Sequence, residues 1–415
     1  MKIENLKSEK IGNRARVAAT ISWEDNDRPT QEVYFETDEA FAQDLSCNPH
    51  AFLVGCIMPA LQHGEKRILV EGAICPELQD GLITAMAWIR HWYDSPERRL
   101  VKIEAKTNAT PSLPRIPKRA GSFLSGGIDS LATLRTNRLN YPLEHPGSIK
   151  DCLLIYGQNI ESDDRPETFE LAMHSLSEIT QDAGITLIPV YTNTRSLDYD
   201  TNFFLYKFQA AILSAVAHAF ARRFTTVTIA SGDNIPGLHA WGTHPILDPN
   251  FSSFDLRIRH DSNILSRFEK TKLVAEWNAA LQHIKVCPSN WPGTNCGHCE
   301  KCLRTMLALL ALGVLEQTRA FPQIEITPEM INSTVRIKST TVFHYEELLP
   351  RLAEMGRNDL VRAIENRIAR YQAGHSYHES AWKKKIKQFD QKYLQGRLAR
   401  TKKSVFPLRG GKNAN

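Results

Sequence analysis

Phe123-Leu124-Ser125-Gly126-Gly127-Ile128-Asp129-Ser130-Leu131 joins a stretch that reads as a strand, Gly121 to Leu124, to one that reads as a helix from Asp129 onward. Paired glycines let the backbone approach an anion closely and adopt conformations costly to other residues. The helix start beyond them directs free N–H groups and positive dipole at the same point. Ser125 and Ser130 can add hydroxyl donors, and Asp129 can accept from loop amides or hold a magnesium ion that neutralises phosphate charge. Ser125, Gly126, Gly127, Ile128, Asp129 and Ser130 are therefore the candidate nucleotide cradle, with Asp129 and Ser130 closest to catalysis. The spacing is neither GxxxxGK[ST] nor GxGxxG, so a different nucleotide class is indicated. The plainer alternative is an ordinary strand-to-helix turn that uses Ser and Gly for capping.

On the C-terminal side of this loop, strand and helix patterns alternate. CLLIYG at 152–157, Ile185 to Val190 and Thr226 to Ala230 read as strands; Pro166 to Asp182 and 203–222 read as helices. Such alternation implies a parallel sheet wrapped by crossover helices, an α/β domain over 120–286. Before the loop, TNATPSLPRIPKR carries three prolines, each removing a backbone donor, and 109–119 is expected to be a linker. Residues 1–108 read as a small α+β module: RVAATISWE and QEVYFETDE as strands around a turn at Asn26 to Pro29, another strand at Arg67 to Glu71, and a helix from Pro76 to Tyr93. Residues 313–380 are expected to be helical and 381–415 a basic tail.

The 415 residues are 42% hydrophobic and 23% charged, the make-up of a folded protein of two or three domains. The opening MKIENLKSEK lacks the apolar core of a signal peptide, and no run approaches the roughly 18 apolar residues that span a bilayer, so a cytoplasmic protein without a membrane partner is expected. Much of the +5 formal charge sits after Trp382; nucleic acid is a conceivable but disfavoured partner for that tail. Of eight cysteines, Cys287, Cys296, Cys299 and Cys302 cluster, enough thiolates to close a tetrahedron around zinc with no open position. Free buried thiols and an iron–sulfur cluster are the alternatives.

SGGIDS looks like the SGGxDS signature of the PP-loop ATP pyrophosphatases. Within that class the chain resembles the QueC family: Tyr156-Gly157-Gln158 is similar to the YGQ after QueC's second strand, and CGHCEKCLR matches CGxCxxCxxR, with Arg304 near the expected arginine. EKTKLV, 269–274, sits where QueC has a lysine-containing segment, and the resemblance covers about residues 120–312. It implies an adenine-nucleotide-hydrolase-like, Rossmann-like fold. It also implies ATP contacts at Tyr156, Gly157, Gln158, Gly232 and Lys270, a catalytic role for Lys270, and ATP, Mg2+ and Zn2+ as cofactors. By the same resemblance the substrate is 7-carboxy-7-deazaguanine or a similar carboxylate, adenylated and passed to ammonia or an amine as amide or nitrile.

QueC's G-x-N-x-x-D and YPDCR stretch is replaced here by SGDNIPGLHAWGTHPILD, in which only Gly232, Asp233 and Asn234 are comparable. Trp241 could stack on a flat base and His239 or His244 bond to it, although such residues more often serve packing. The extra N-terminal module resembles the layout of QueC-like proteins from antiphage operons (type IV CBASS and Qat), where a partner protein's N-terminus would be the amine. A homodimer is left open. Alternatives are a PP-loop tRNA-thiolating enzyme, which would need spare thiols near the loop, and a non-catalytic nucleotide-binding scaffold. Glutaminase coupling is disfavoured, since position 2 is Lys2 rather than a nucleophilic cysteine.

Overall fold

In a computed structural model that describes residues 1–107, 119–157, 166–287, 295–323 and 325–373, the chain divides into two compact units, Met1–Ile326 and Thr327–Asn415. The first unit opens with β1 (Lys2–Ile11), β2 (Arg14–Ser22), β3 (Gln31–Asp38), α1 (Pro49–Gln62), β4 (Arg67–Ile74), α2 (Pro76–Tyr93) and β5 (Lys102–Thr107). It continues with β6 (Ala120–Phe123), α3 (Ile128–Asn140), β7 (Ile149–Tyr156), α4 (Pro166–Ala183), β8 (Thr186–Thr192), α5 (Thr201–Phe203) and α6 (Gln209–Ala219). β9 (Thr226–Ala230), β10 (Arg257–Asp261), α7 (Arg267–Ala275), α8 (Asn278–Gln282) and α9 (Glu300–Ala311) complete it.

All ten strands belong to one mostly parallel sheet, in the order β10-β9-β6-β7-β8-β3-β2-β1-β4-β5. The first five are mutually parallel, and the expected hairpin, β2 with β3, is antiparallel. Strands from both sides of the proline-rich stretch, most of which lies outside the described residues, thus share a sheet. The join is short: β3 meets β8 through Phe35↔Thr192 and Glu36↔Tyr191. Side chains extend it, because Asn193 Oδ1 accepts from Tyr34 N (2.9 Å) while its Nδ2 donates to Glu32 O (2.7 Å), imitating a further backbone pair.

One hydrophobic core runs under this sheet. Leu153, Ile188, Val190, Val227, Ile229 and Ile258 share it with the fully apolar run of α1 and with α6. Cys152 and Leu154, of opposite parity on β7, are buried outside that cluster, as are Leu131 and Leu134 of α3, so helices cover both faces. Close approach of α1 is set at Gly55, where an added Cβ would lie 3.3 Å from Thr194 and 3.5 Å from Ala215. The expected long helix at 203–222 is interrupted by a π-helical turn, Phe204–Phe208. The cause is visible: Gly242 N donates to Leu205 O (2.9 Å) and Gly242 O accepts from Ala210 N (2.8 Å), taking backbone groups a regular helix would use itself.

Within the core, His50 Nε2 accepts from Cys75 N (2.9 Å), and His218 Nε2 donates to Phe251 O (2.8 Å), so each is held as a neutral tautomer. Burial pulls His50 from 6.5 to about 3 and His218 from 6.5 to about 4. Both folded values lie below the unfolded one, so the unfolded chain binds more protons and stability falls as pH drops from 6.5 toward about 4. The expected slope is roughly 1.4 kcal/mol per pH unit for each histidine. Urea midpoints between pH 7 and 5 check this; a His218→Gln variant should show a shallower decline than the parent.

The second unit contains α10 (Pro328–Thr334), α11 (Val342–Glu346), α12 (Leu349–Glu354) and α13 (358–373), as the helical reading of this region expects. Tyr345, Leu348, Leu352, Leu360, Ile364 and Ile368 are buried, and Arg367 Nε donates to Val335 O at 3.0 Å.

Candidate active site and cysteine centre

The loop leaves β6 after Phe123 and turns through Gly126, whose φ of +77° lies in the left-handed region that favours glycine. An added Cβ there would also meet Lys285 Cβ at 3.3 Å and Leu176 Cδ2 at 3.4 Å. Gly127 is the cap of α3 and has no side chain to cover the first-turn amides of Ile128, Asp129 and Ser130. Ser130 Oγ instead braces the loop from within, donating to Gly127 O (3.0 Å) and accepting from Ser125 N (3.3 Å). Ile128 is fully buried, so its side chain anchors the helix.

Charge converges on Asp129. Arg267 Nη1 donates to its Oδ2, and Lys270 Nζ lies 3.6 Å from Oδ1 while donating to Ser231 O at 2.8 Å. Lys270 is fully buried; burial lowers its pKa below the usual lysine value, and Asp129 pulls it back up. Asp129 Oδ1 is itself buried without a hydrogen-bond partner. Lys270 thus sits against the loop's Asp129, and Arg267, which the sequence reading did not single out, joins it there. The signal was present: Ser266 and Glu269 form a capping box, which starts α7 at Arg267 and puts Arg267 and Lys270 on one face, three residues apart.

Tyr156 ends β7 beside the loop strand and packs against Phe169 (5.2 Å between ring centroids) and Tyr191 (5.8 Å). Gly157 has φ +97°, and an added Cβ would lie 1.9 Å from Thr192 O, so that glycine is a steric requirement of the chain path. Gln158 lies outside the described residues. Gly232 follows Ser231, with nothing within 4 Å of an added Cβ. The segment after it places Trp241 edge-on to Tyr206 (4.7 Å) and 5.5 Å from His239, whose Nδ1 lies 3.5 Å from Asp233; His244 packs on Trp92 of α2 (5.1 Å). The N-terminal segment therefore contributes to the same aromatic wall.

The four clustered cysteines come together: their sulfurs all lie within 4.8 Å of one another, Cys296 to Cys302 at 3.8 Å and Cys287 to Cys299 at 3.9 Å. A tetrahedron of ~2.3 Å metal–sulfur bonds has edges of ~3.8 Å, so the cluster could hold a metal ion such as zinc. Cys296 Sγ accepts from Cys299 N (3.3 Å) and Cys299 Sγ from Cys302 N (3.5 Å), turning the sulfurs inward at the start of α9. No protein-family model, curated protein or solved structure matches this chain.

Asn295, nearly fully buried, is a residue that cysteine spacing alone does not reveal. Its Oδ1 accepts from Val286 N (2.8 Å) and Cys287 N (2.9 Å), and its Nδ2 donates to Ile284 O (2.8 Å) and Ala320 O (2.7 Å). All four bonding positions of the amide are used. It fixes the distant Cys287 beside Cys296, and because Lys285 N donates to Gly126 O (2.8 Å), the same segment braces the loop. Asn295→Ala strands buried backbone groups and is expected to cost about 3 kcal/mol or more. Chemical denaturation measures it.

Proposed function

We propose that the chain is an ATP-dependent enzyme of the PP-loop kind, which adenylates a carboxylate and passes the acyl group to ammonia or another amine. The observation that carries this reading is the SGGIDS turn, with Gly126 left-handed and α3 uncapped, facing Arg267 and Lys270 across Asp129. Two cations against one carboxylate favour an anion there, and uncapped amides supply fixed donors for phosphate oxygens. A carboxylate is a poor electrophile because its leaving group would be oxide; joining it to AMP supplies a good one, and charge on the departing pyrophosphate is what Lys270 and the amides stabilise. Asp129 Oδ1, without a hydrogen bond and 3.6 Å from the Lys270 ammonium, fits an oxygen-seeking cation such as Mg2+, which when bound would neutralise phosphate charge.

The aromatic wall of Trp241 and Tyr206 suits a flat acid, and 7-carboxy-7-deazaguanine, with ammonia or a protein amine as acceptor, is the first candidate. In this reading the four cysteines hold a structural zinc. Thiolation is less well supported, because Cys152, the thiol nearest the loop in sequence, is fully buried and burial pushes its pKa up. An isotope experiment tests the proposal: carboxylate labelled with 18O should deliver one labelled oxygen to AMP. Unlabelled AMP after product formation contradicts it.

A further inference from the structure

Asp248 and His260 form a buried titratable pair that this chemistry does not use. Asp248 is fully buried; its Oδ2 accepts from His260 Nδ1 at 2.7 Å and its Oδ1 from His244 N at 2.8 Å. With Nδ1–H committed to the carboxylate, His260 Nε2 is left as an acceptor. That atom is buried and has no hydrogen-bond partner, and the whole side chain is 3% exposed. A buried lone pair without a donor costs stability unless a group from outside the chain supplies one.

His260 lies near the C-terminal end of β10, two strands from β6 and so about 10 Å away across the sheet. In open parallel sheets, ligands bind beyond these strand ends. The neighbouring Asp261 O accepts from Ser231 N (2.9 Å), and Ser231 O is the carbonyl that Lys270 grips, so the end of β10 is tied to the charged cluster by two hydrogen bonds. His239 and His244 stand close by: together with burial, His260 and His239 lower the pKa of His244. His218 Nδ1 is also unpartnered, but it lies on α6 and its ring is tied through Nε2 to Phe251 O, with no carboxylate among the described residues to orient it.

We propose that His260, oriented by Asp248, is the general base of amine transfer. The amine nitrogen attacks the acyl carbon of the mixed anhydride; the C–N bond forms, the C–O bond to AMP breaks, and AMP leaves with the electron pair. The proton released from nitrogen goes to His260 Nε2, and the imidazolium is held by Asp248, a positioning residue. This assignment rests on the adenylation reading.

The test uses the full chain with ATP, 7-carboxy-7-deazaguanine and ammonium, following pyrophosphate–ATP exchange and amide formation separately. In His260→Gln, exchange should stay within about twofold of the parent while amide formation falls about 10²–10³-fold, and Asp248→Asn should show a smaller loss of the same kind. Hydroxylamine, a weaker base whose attacking nitrogen gives up its proton to water far more readily than that of ammonia, should restore acyl transfer in His260→Gln. Parallel loss of exchange and transfer, full transfer in His260→Gln, or no rescue by hydroxylamine overturns the assignment; His260→Asn is read in the same way if the Gln variant melts early. A parent without exchange contradicts the adenylation reading instead, so the two failures are distinguishable.

Discussion

Lys270→Met is expected to reduce pyrophosphate release by about 10²–10³-fold while shifting the melting temperature by only a few degrees. The two effects separate because the lysine is fully buried, with its ammonium donating to Ser231 O and facing the Asp129 carboxylate. Methionine fills the same volume without a charge to desolvate, which offsets the hydrogen bond lost at Ser231. Asp129 keeps Arg267, so no uncompensated charge is left inside. What disappears is the cation fixed beside the loop, where charge develops on the leaving group. A structural lysine would show the reverse: lowered stability and unchanged turnover. Thermal unfolding and a pyrophosphate assay on the same preparation tell these apart.

Cys302→Ser is expected to abolish tight zinc binding and lower the melting temperature by about 10 °C or more. Zinc ligation contributes ~10–16 kcal/mol to folding in small modules. Here Asn295 and α9 already organise part of the site, so a smaller share, several kcal/mol, appears as stability. Metal analysis should find about one zinc per parent chain and almost none in the variant. A strong chelator acting on the parent should reproduce the shift. Loss of pyrophosphate release should follow only partially, through the Lys285 N to Gly126 O contact that links the cysteine segment to the loop. A variant that retains its melting temperature would make the cluster four ordinary thiols.

The parallel half of the fold was legible because its strands are short apolar runs separated by helical stretches at regular distances, as at 152–157 and 226–230. α2 was legible for a different reason: Leu78, Leu82, Ala85, Met86, Ile89 and Trp92 make a single apolar stripe, and all of these but the half-buried Trp92 are buried. α1 escaped the same reading, since PHAFLVGCIMPALQ is apolar on every side and carries Pro59, leaving no stripe to detect. β10, RIRHD, has too few apolar residues to announce a strand, and only its place beside β9 makes it one. Joining β3 to β8 depends on Asn193 and two backbone pairs, contacts about 150 residues apart that no local pattern encodes.

The candidate site divides along the same line. Ser125 to Ser130 and the four cysteines are contiguous motifs whose spacing carries their chemistry, and the structure gathers each set. Arg267, Asn295 and His260 matter through what they touch: a carboxylate on another helix, the backbone beside a cysteine, and a buried aspartate. Gly157 shows the converse, since a glycine read as a nucleotide contact is also demanded by the carbonyl of Thr192.

In the chemistry proposed above, the loop after β6 holds the outer phosphates of ATP while the innermost phosphorus is attacked. Phosphorus NMR of a reaction containing ATP, 7-carboxy-7-deazaguanine and ammonium tests it most directly. AMP and pyrophosphate should accumulate in equal amounts, and both should vanish in Asp129→Asn. ADP with inorganic phosphate, or equal turnover in that variant, would contradict the account.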